Sequence, residues 1–149
     1  MEHVLPILIE SARNVRDRQA ASLRQAELGV RQALATLQRL LQFRCECMAR
    51  SPGATHARSD GPALADYQQF VSRLDEAIAV QQQEAQRREA GRAAQQLLLT
   101  RAQQRVAAFE ALALRRLQER QLREQRRLER ETDEFAARMA RRAPLEARP

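Results

Sequence analysis

Tryptophan and lysine are absent from this chain of 149 residues, and tyrosine, cysteine, glycine and phenylalanine are scarce. Each shortage closes off a class of protein. Aromatic side chains dominate the burial that holds a compact core. At 3% aromatic, the 44% hydrophobic share rests largely on alanine, which buries little area per residue. The composition therefore argues against a compact domain. The two cysteines, Cys45 and Cys47, are two residues apart, a spacing that points their side chains to different sides of a helix, so an intrahelical bridge is not expected. Histidine is limited to His3 and His56, which leaves no zinc-type spacing. Reduced thiols in the cytosol are the expectation. The apolar run Val4-Leu5-Pro6-Ile7-Leu8-Ile9 is far short of the roughly 20 residues of a membrane span. It also lacks the basic segment and small-residue cleavage site of a signal peptide. The expected location is the cytoplasm, with no direct membrane insertion.

Catalytic patterns are missing as well. There is no phosphate-cradling glycine loop, no HExxH-type pair, and no Ser/His/Asp or Cys/His set with a pocket to hold it. The expectation is a non-enzymatic protein with no cofactor and no metal site.

What the sequence has is arginine. All 26 basic residues are Arg against 19 acidic ones, and the formal net charge is +7. That charge reads either as a solvated helix surface or as attraction to an acidic partner, nucleic acid or membrane surface. Nucleic acid is disfavoured. Glu119, Glu124, Glu129, Glu131, Asp133 and Glu134 interleave with the arginines, and aromatic stacking residues are missing.

Ala, Leu, Gln, Glu and Arg dominate, all strong helix formers. One break interrupts them, residues 51–62, which holds two of the five prolines and two of the four glycines. It predicts the tip of a hairpin between helix one, from about residue 8 to 50, and helix two, from about residue 63 to 142. Asp60 or Pro62 is the expected helix start, because a proline is tolerated where its missing N–H is not needed. The fold expected is all-α, a single domain over residues 1–149 built as a long antiparallel two-helix coiled-coil hairpin with a C-terminal helical overhang.

A heptad frame gives the packing seam. In helix one it runs through Ile9, Ala12, Arg16, Gln19, Leu23, Ala26, Val30, Ala33, Leu37, Leu40 and Cys47. In helix two it runs through Leu64, Tyr67, Val71, Leu74 and Ile78. It then dilutes at Gln81, Ala85, Arg88, Arg92 and Gln95 and returns at Leu99, Ala102, Val106 and Phe109. Paired across the break, Phe43 lies near Phe70, and everything past about residue 107 has no partner in the chain. That overhang keeps a sparse apolar stripe, Leu114, Leu128 and Phe135, which something outside the chain is expected to cover. Phe43, Tyr67 and Phe70 are three of the five aromatics and fall at one level. Either they plug the end of the coil or, with Leu40 and Leu74, they form a docking patch for another protein.

The runs Leu40-Leu41-Gln42-Phe43-Arg44-Cys45-Glu46, Tyr67-Gln68-Gln69-Phe70-Val71-Ser72-Arg73-Leu74-Asp75-Glu76-Ala77-Ile78 and Thr132-Asp133-Glu134-Phe135-Ala136-Ala137-Arg138 resemble, in order and spacing, those of the FliJ family of flagellar export proteins. The resemblance covers nearly the whole chain. It implies a stalk of the flagellar type III protein export apparatus, peripheral at the cytoplasmic face of the inner membrane. Such a stalk sits as a monomer in a hexameric export ATPase ring, contacts the cytoplasmic domain of the export gate, and escorts export chaperones. Carried over, the gate-binding positions are Leu40, Phe43, Phe70, Leu74 and Ala77, and the ring would cover Leu114, Leu128 and Phe135. Thr36, Cys47 and Gln81 depart from the family pattern, standing where Gln, Tyr and His occur. Two alternatives stay open: the equivalent stalk of a virulence type III secretion system, and a stand-alone structural coiled coil.

Overall fold

Long runs of helix formers with one cluster of breakers leave the chain two regular elements. The computed structural model describes residues 3–50 and 61–143, and its two elements are α1 (Val4–Ala49) and α2 (Gly61–Arg142). No strand occurs among the described residues. The chain is all-α, two long helices forming a helical hairpin. Of the expected tip, residues 51–60 lie outside the described residues, while Gly61 and Pro62 open α2. Pro62 occupies its first turn, where the missing donor costs nothing. α1 starts one turn before residue 8, because Pro6 also falls in a first turn and does not break the helix.

Contacts divide the chain into two units. One is Ala12–Gln103; the other joins the residues up to Ser11 with those from Gln104 onward. In the first, cross-helix pairings such as Gln19 with Gln95, Ala33 with Gln81 and Cys47 with Tyr67 run antiparallel in one register. The seam follows the heptad frame. Ala12, Leu23, Ala33, Leu74, Ile78, Ala85, Leu99 and Ala102 are buried, and Ala33 is the most enclosed at 2% exposure. Arg16, Gln19, Ala26, Val30, Leu37, Leu40, Tyr67, Val71, Gln81, Arg92 and Gln95 are half-buried on the same stripe. Leu64 and Arg88 depart from the expectation and are exposed. Leu64 precedes the first paired level, that of Tyr67 with Cys47. Arg88 reaches past the seam to a backbone oxygen and to Glu84.

In the second unit Leu5 and Val106 are buried, and Ile9, Phe109 and Ala113 are half-buried. Partner coverage was expected to end near residue 107. It reaches Ala113, because the earlier start of α1 supplies Leu5, which lines a groove with Ile9 and Ala113. From Leu114 to Ala143 every residue is exposed. Arg105 stacks its guanidinium over the Phe109 ring at 5.6 Å.

Candidate functional site

The residues expected to dock a partner sit around the level of Phe43 and Phe70. These two rings meet edge to face, with centroids 6.1 Å apart and planes at 79°. They flank the seam rather than fill it, and each stays about half exposed, at 47% and 45%. Ala77, two turns along the same edge of α2, is exposed too. Leu40 is half-buried on the seam. Leu74 is different. At 8% exposure it belongs to the core. The physical reason is phase: Leu74 is a seam position one heptad beyond Tyr67, whereas Phe70 lies one position off the seam.

Polar contacts hold this level together. Arg44 Nε donates to Asp75 Oδ1 at 2.6 Å across the two helices. That hydrogen bond and the carboxylate charge hold the Arg44 guanidinium above its ordinary range. The Tyr67 hydroxyl donates to the Cys47 carbonyl at 3.4 Å and lies 3.3 Å from Met48 Sδ. Cys45 is exposed, Cys47 half-buried, and both are free thiols. Of the positions that depart from the family pattern, Thr36 turns its hydroxyl back to the Gln32 carbonyl at 3.0 Å, and Gln81 engages the opposite helix.

The middle of the seam has its own chemistry, which sequence reasoning missed. Gln81 Nε2 donates to the Ala33 carbonyl at 3.0 Å, Arg88 Nη1 to the Gly29 carbonyl at 3.0 Å, and Gln95 Nε2 to the Gln19 side-chain oxygen. Long polar side chains of α2 thus reach α1, all three of them its main chain, where apolar ones are lacking. The signal was present as small residues opposite long donors: Gly29 and Ala33 leave the α1 backbone open to approach. Glu84 takes hydrogen bonds from Arg88 and Arg87 and is held below the ordinary carboxylate range. Arg92 does the same for Glu89.

On the overhang Leu114, Leu128 and Phe135 are 56%, 51% and 64% exposed, so the apolar stripe is uncovered in the free chain. Continuing the heptad frame past Phe109 would have disclosed a second feature. The seam positions after Ala113 are Arg116, Arg120, Arg123, Arg127 and Arg130.

Among the described residues no group of three His, Cys, Asp or Glu side chains is placed to hold a metal ion. None of the described helices is long and apolar enough to cross a membrane. No curated protein and no solved structure matches this chain. Residues 1–145 match the model of the family described as flagellar FliJ protein. With the all-α hairpin and a match over nearly its whole length, the chain belongs to the flagellar FliJ protein family and is a component of the flagellar export apparatus.

Proposed function

We propose that this chain is the non-enzymatic stalk of the flagellar export machine. The exposed part of α2 enters the ring of a hexameric export ATPase, and the level of Phe43 and Phe70 meets the cytoplasmic domain of the export gate. The protein would then stand at the cytoplasmic face of the inner membrane, peripheral to it. Export chaperones are further partners in this reading.

The observation that supports it is the exposed aromatic pair. Two phenylalanines held edge to face flank the seam and keep about half of their surface exposed. On a protein surface aromatic side chains of this kind are the common anchors of an interface. Leu40 and Leu74 beneath would then set the position of the rings, and Ala77 would extend the contact along α2. The stripe of Leu114, Leu128 and Phe135 is the ring-facing surface in the same reading.

The test is the double change Phe43→Ala, Phe70→Ala in a strain lacking the gene. Helicity and melting should stay close to those of the unchanged protein, while motility and export are lost. Unfolding would make the rings a structural plug, and normal motility would remove them from gate contact. A pull-down with the export ATPase separates the stalk from a stand-alone coiled coil.

A further inference from the structure

Past Ala113 the packing stripe of α2 changes character without changing phase. Five successive seam positions, Arg116, Arg120, Arg123, Arg127 and Arg130, repeat at spacings of four, three, four and three. At 1.5 Å rise they form a column about 21 Å long on one face of the helix. Every one is exposed. Where the column begins, Leu5, Pro6, Ile9 and Ala113 form the apolar part of a groove of about 330 Å³, and Arg116, Arg120 and Arg123, with Glu119 among them, line the rest.

We infer that this face docks an acidic amphipathic helix of a partner protein, with carboxylates at three- and four-residue spacing and an apolar side chain seated against Leu5, Ile9 and Ala113. Charge complementarity selects the occupant. A second copy of this chain would set arginine against arginine. A carboxylate helix repeats with the same period as the column, and each guanidinium fork takes a carboxylate in two parallel bonds. The chain already sets single carboxylate oxygens against these arginines: Glu124 meets Arg127 at 2.8 Å, Glu131 meets it at 3.6 Å, and Glu119 approaches Arg123 at 4.0 Å. Those same carboxylates stand beside the column and would meet a continuous phosphate backbone at every step, whereas a helix can confine its carboxylates to the spacing of the arginines. The apolar part of the groove likewise asks for an aliphatic side chain, which a sugar-phosphate chain lacks. Arg116 and Arg130 make no ion pair among the described residues. The inference stands on the column and the groove and needs no export ATPase, although an ATPase ring is one source of such a helix.

The test titrates the full-length protein with a labelled helical peptide carrying glutamate at the seam spacing and leucine at one end. The comparison probes are the same peptide with glutamine for glutamate, a single-stranded RNA, and vesicles of phosphatidylglycerol and phosphatidylcholine. The glutamate peptide should bind, and the glutamine peptide should bind about tenfold or more weakly. Affinity should fall as salt shortens the Debye length from about 10 Å to about 3 Å. Arg116→Glu with Arg123→Glu and Arg130→Glu should lose about tenfold or more while circular dichroism stays unchanged. If helicity drops, the matching Arg→Gln set replaces it. No binding of the glutamate peptide, unchanged binding by the triple variant, or tighter binding of RNA or vesicles would each overturn the inference. Peptide binding without export ATPase binding would leave it standing and remove the ring-docking reading instead.

Discussion

Two stretches of α2 use the same heptad positions to opposite ends. Between Tyr67 and Ile78 those positions carry Tyr67, Val71, Leu74 and Ile78, all buried or half-buried against α1. Between Arg116 and Arg130 they carry five arginines, all exposed. Periodicity alone does not distinguish a core from a surface meant for something else; the residue type at each repeat does. An apolar seam binds whatever apolar stripe is nearest. A cationic one refuses its own kind and waits for acid.

Exchanging the two characters gives the largest effect. Ile78→Arg puts a charge into the buried seam and should destabilise the hairpin by about 3 kcal/mol, seen as a large fall in melting temperature. A melt within a few degrees of the unchanged protein would mean the seam is far looser than its burial indicates. Leu74→Ala should follow at about 2 kcal/mol, the low end for a buried leucine in a thin core. The opposite exchange, Arg116→Leu with Arg123→Leu and Arg130→Leu, should barely change the melt of dilute protein. It should instead produce concentration-dependent self-association in analytical ultracentrifugation, because an apolar column lacks the charge that keeps copies apart. A strictly monomeric triple variant would show that the arginines do not serve that end.

Smaller shifts test the polar middle. Gln81→Leu removes a donor from the Ala33 carbonyl, which keeps its own helical bond, and adds apolar area to the seam. A gain of about 1 kcal/mol is expected by chemical denaturation. A loss would mean the cross-helix bond outweighs that area. The smallest effect concerns acid. Glu84 is held below its ordinary value by Arg88 and Arg87, so the folded state favours its charged form. Its contribution is present at neutral pH and fades as pH falls through the lowered value. The difference in melting temperature between the unchanged protein and Glu84→Gln should therefore narrow on acidification and close once Glu84 is protonated in the folded and unfolded states alike. A constant difference would assign the effect to packing.

The heptad frame read from the sequence carried most of the fold, because helix formers repeat at seam spacing on both sides of a single cluster of breakers. It also located the weak middle. What it could not supply was how that middle is held, since a glutamine on the seam does not announce whether it will face solvent or cross to a carbonyl. The candidate site was legible in part. Phe43 and Phe70 stand at one level and exposed, as their positions suggested. Leu74 was grouped with them by level and by the family resemblance, although the heptad frame also put it on the seam, the phase that sends it inward. The arginine column was overlooked for the opposite reason: arginine reads as surface, and the frame was not followed once its residues ceased to be apolar.

The bonds from Gln81 and Arg88 to the Ala33 and Gly29 carbonyls have a mechanical meaning. Apolar side chains let two helices slide past each other by small amounts, since one methyl contact is much like the next. A donor seated on a particular carbonyl oxygen has no equivalent within a small slide; the next acceptor on the same face lies one turn, about 5.4 Å, along the helix. The middle of the seam therefore resists shear more than its sparse burial would indicate. A push along one helix near Ala33 is handed to the other at those points, like a toothed joint set into an otherwise smooth one.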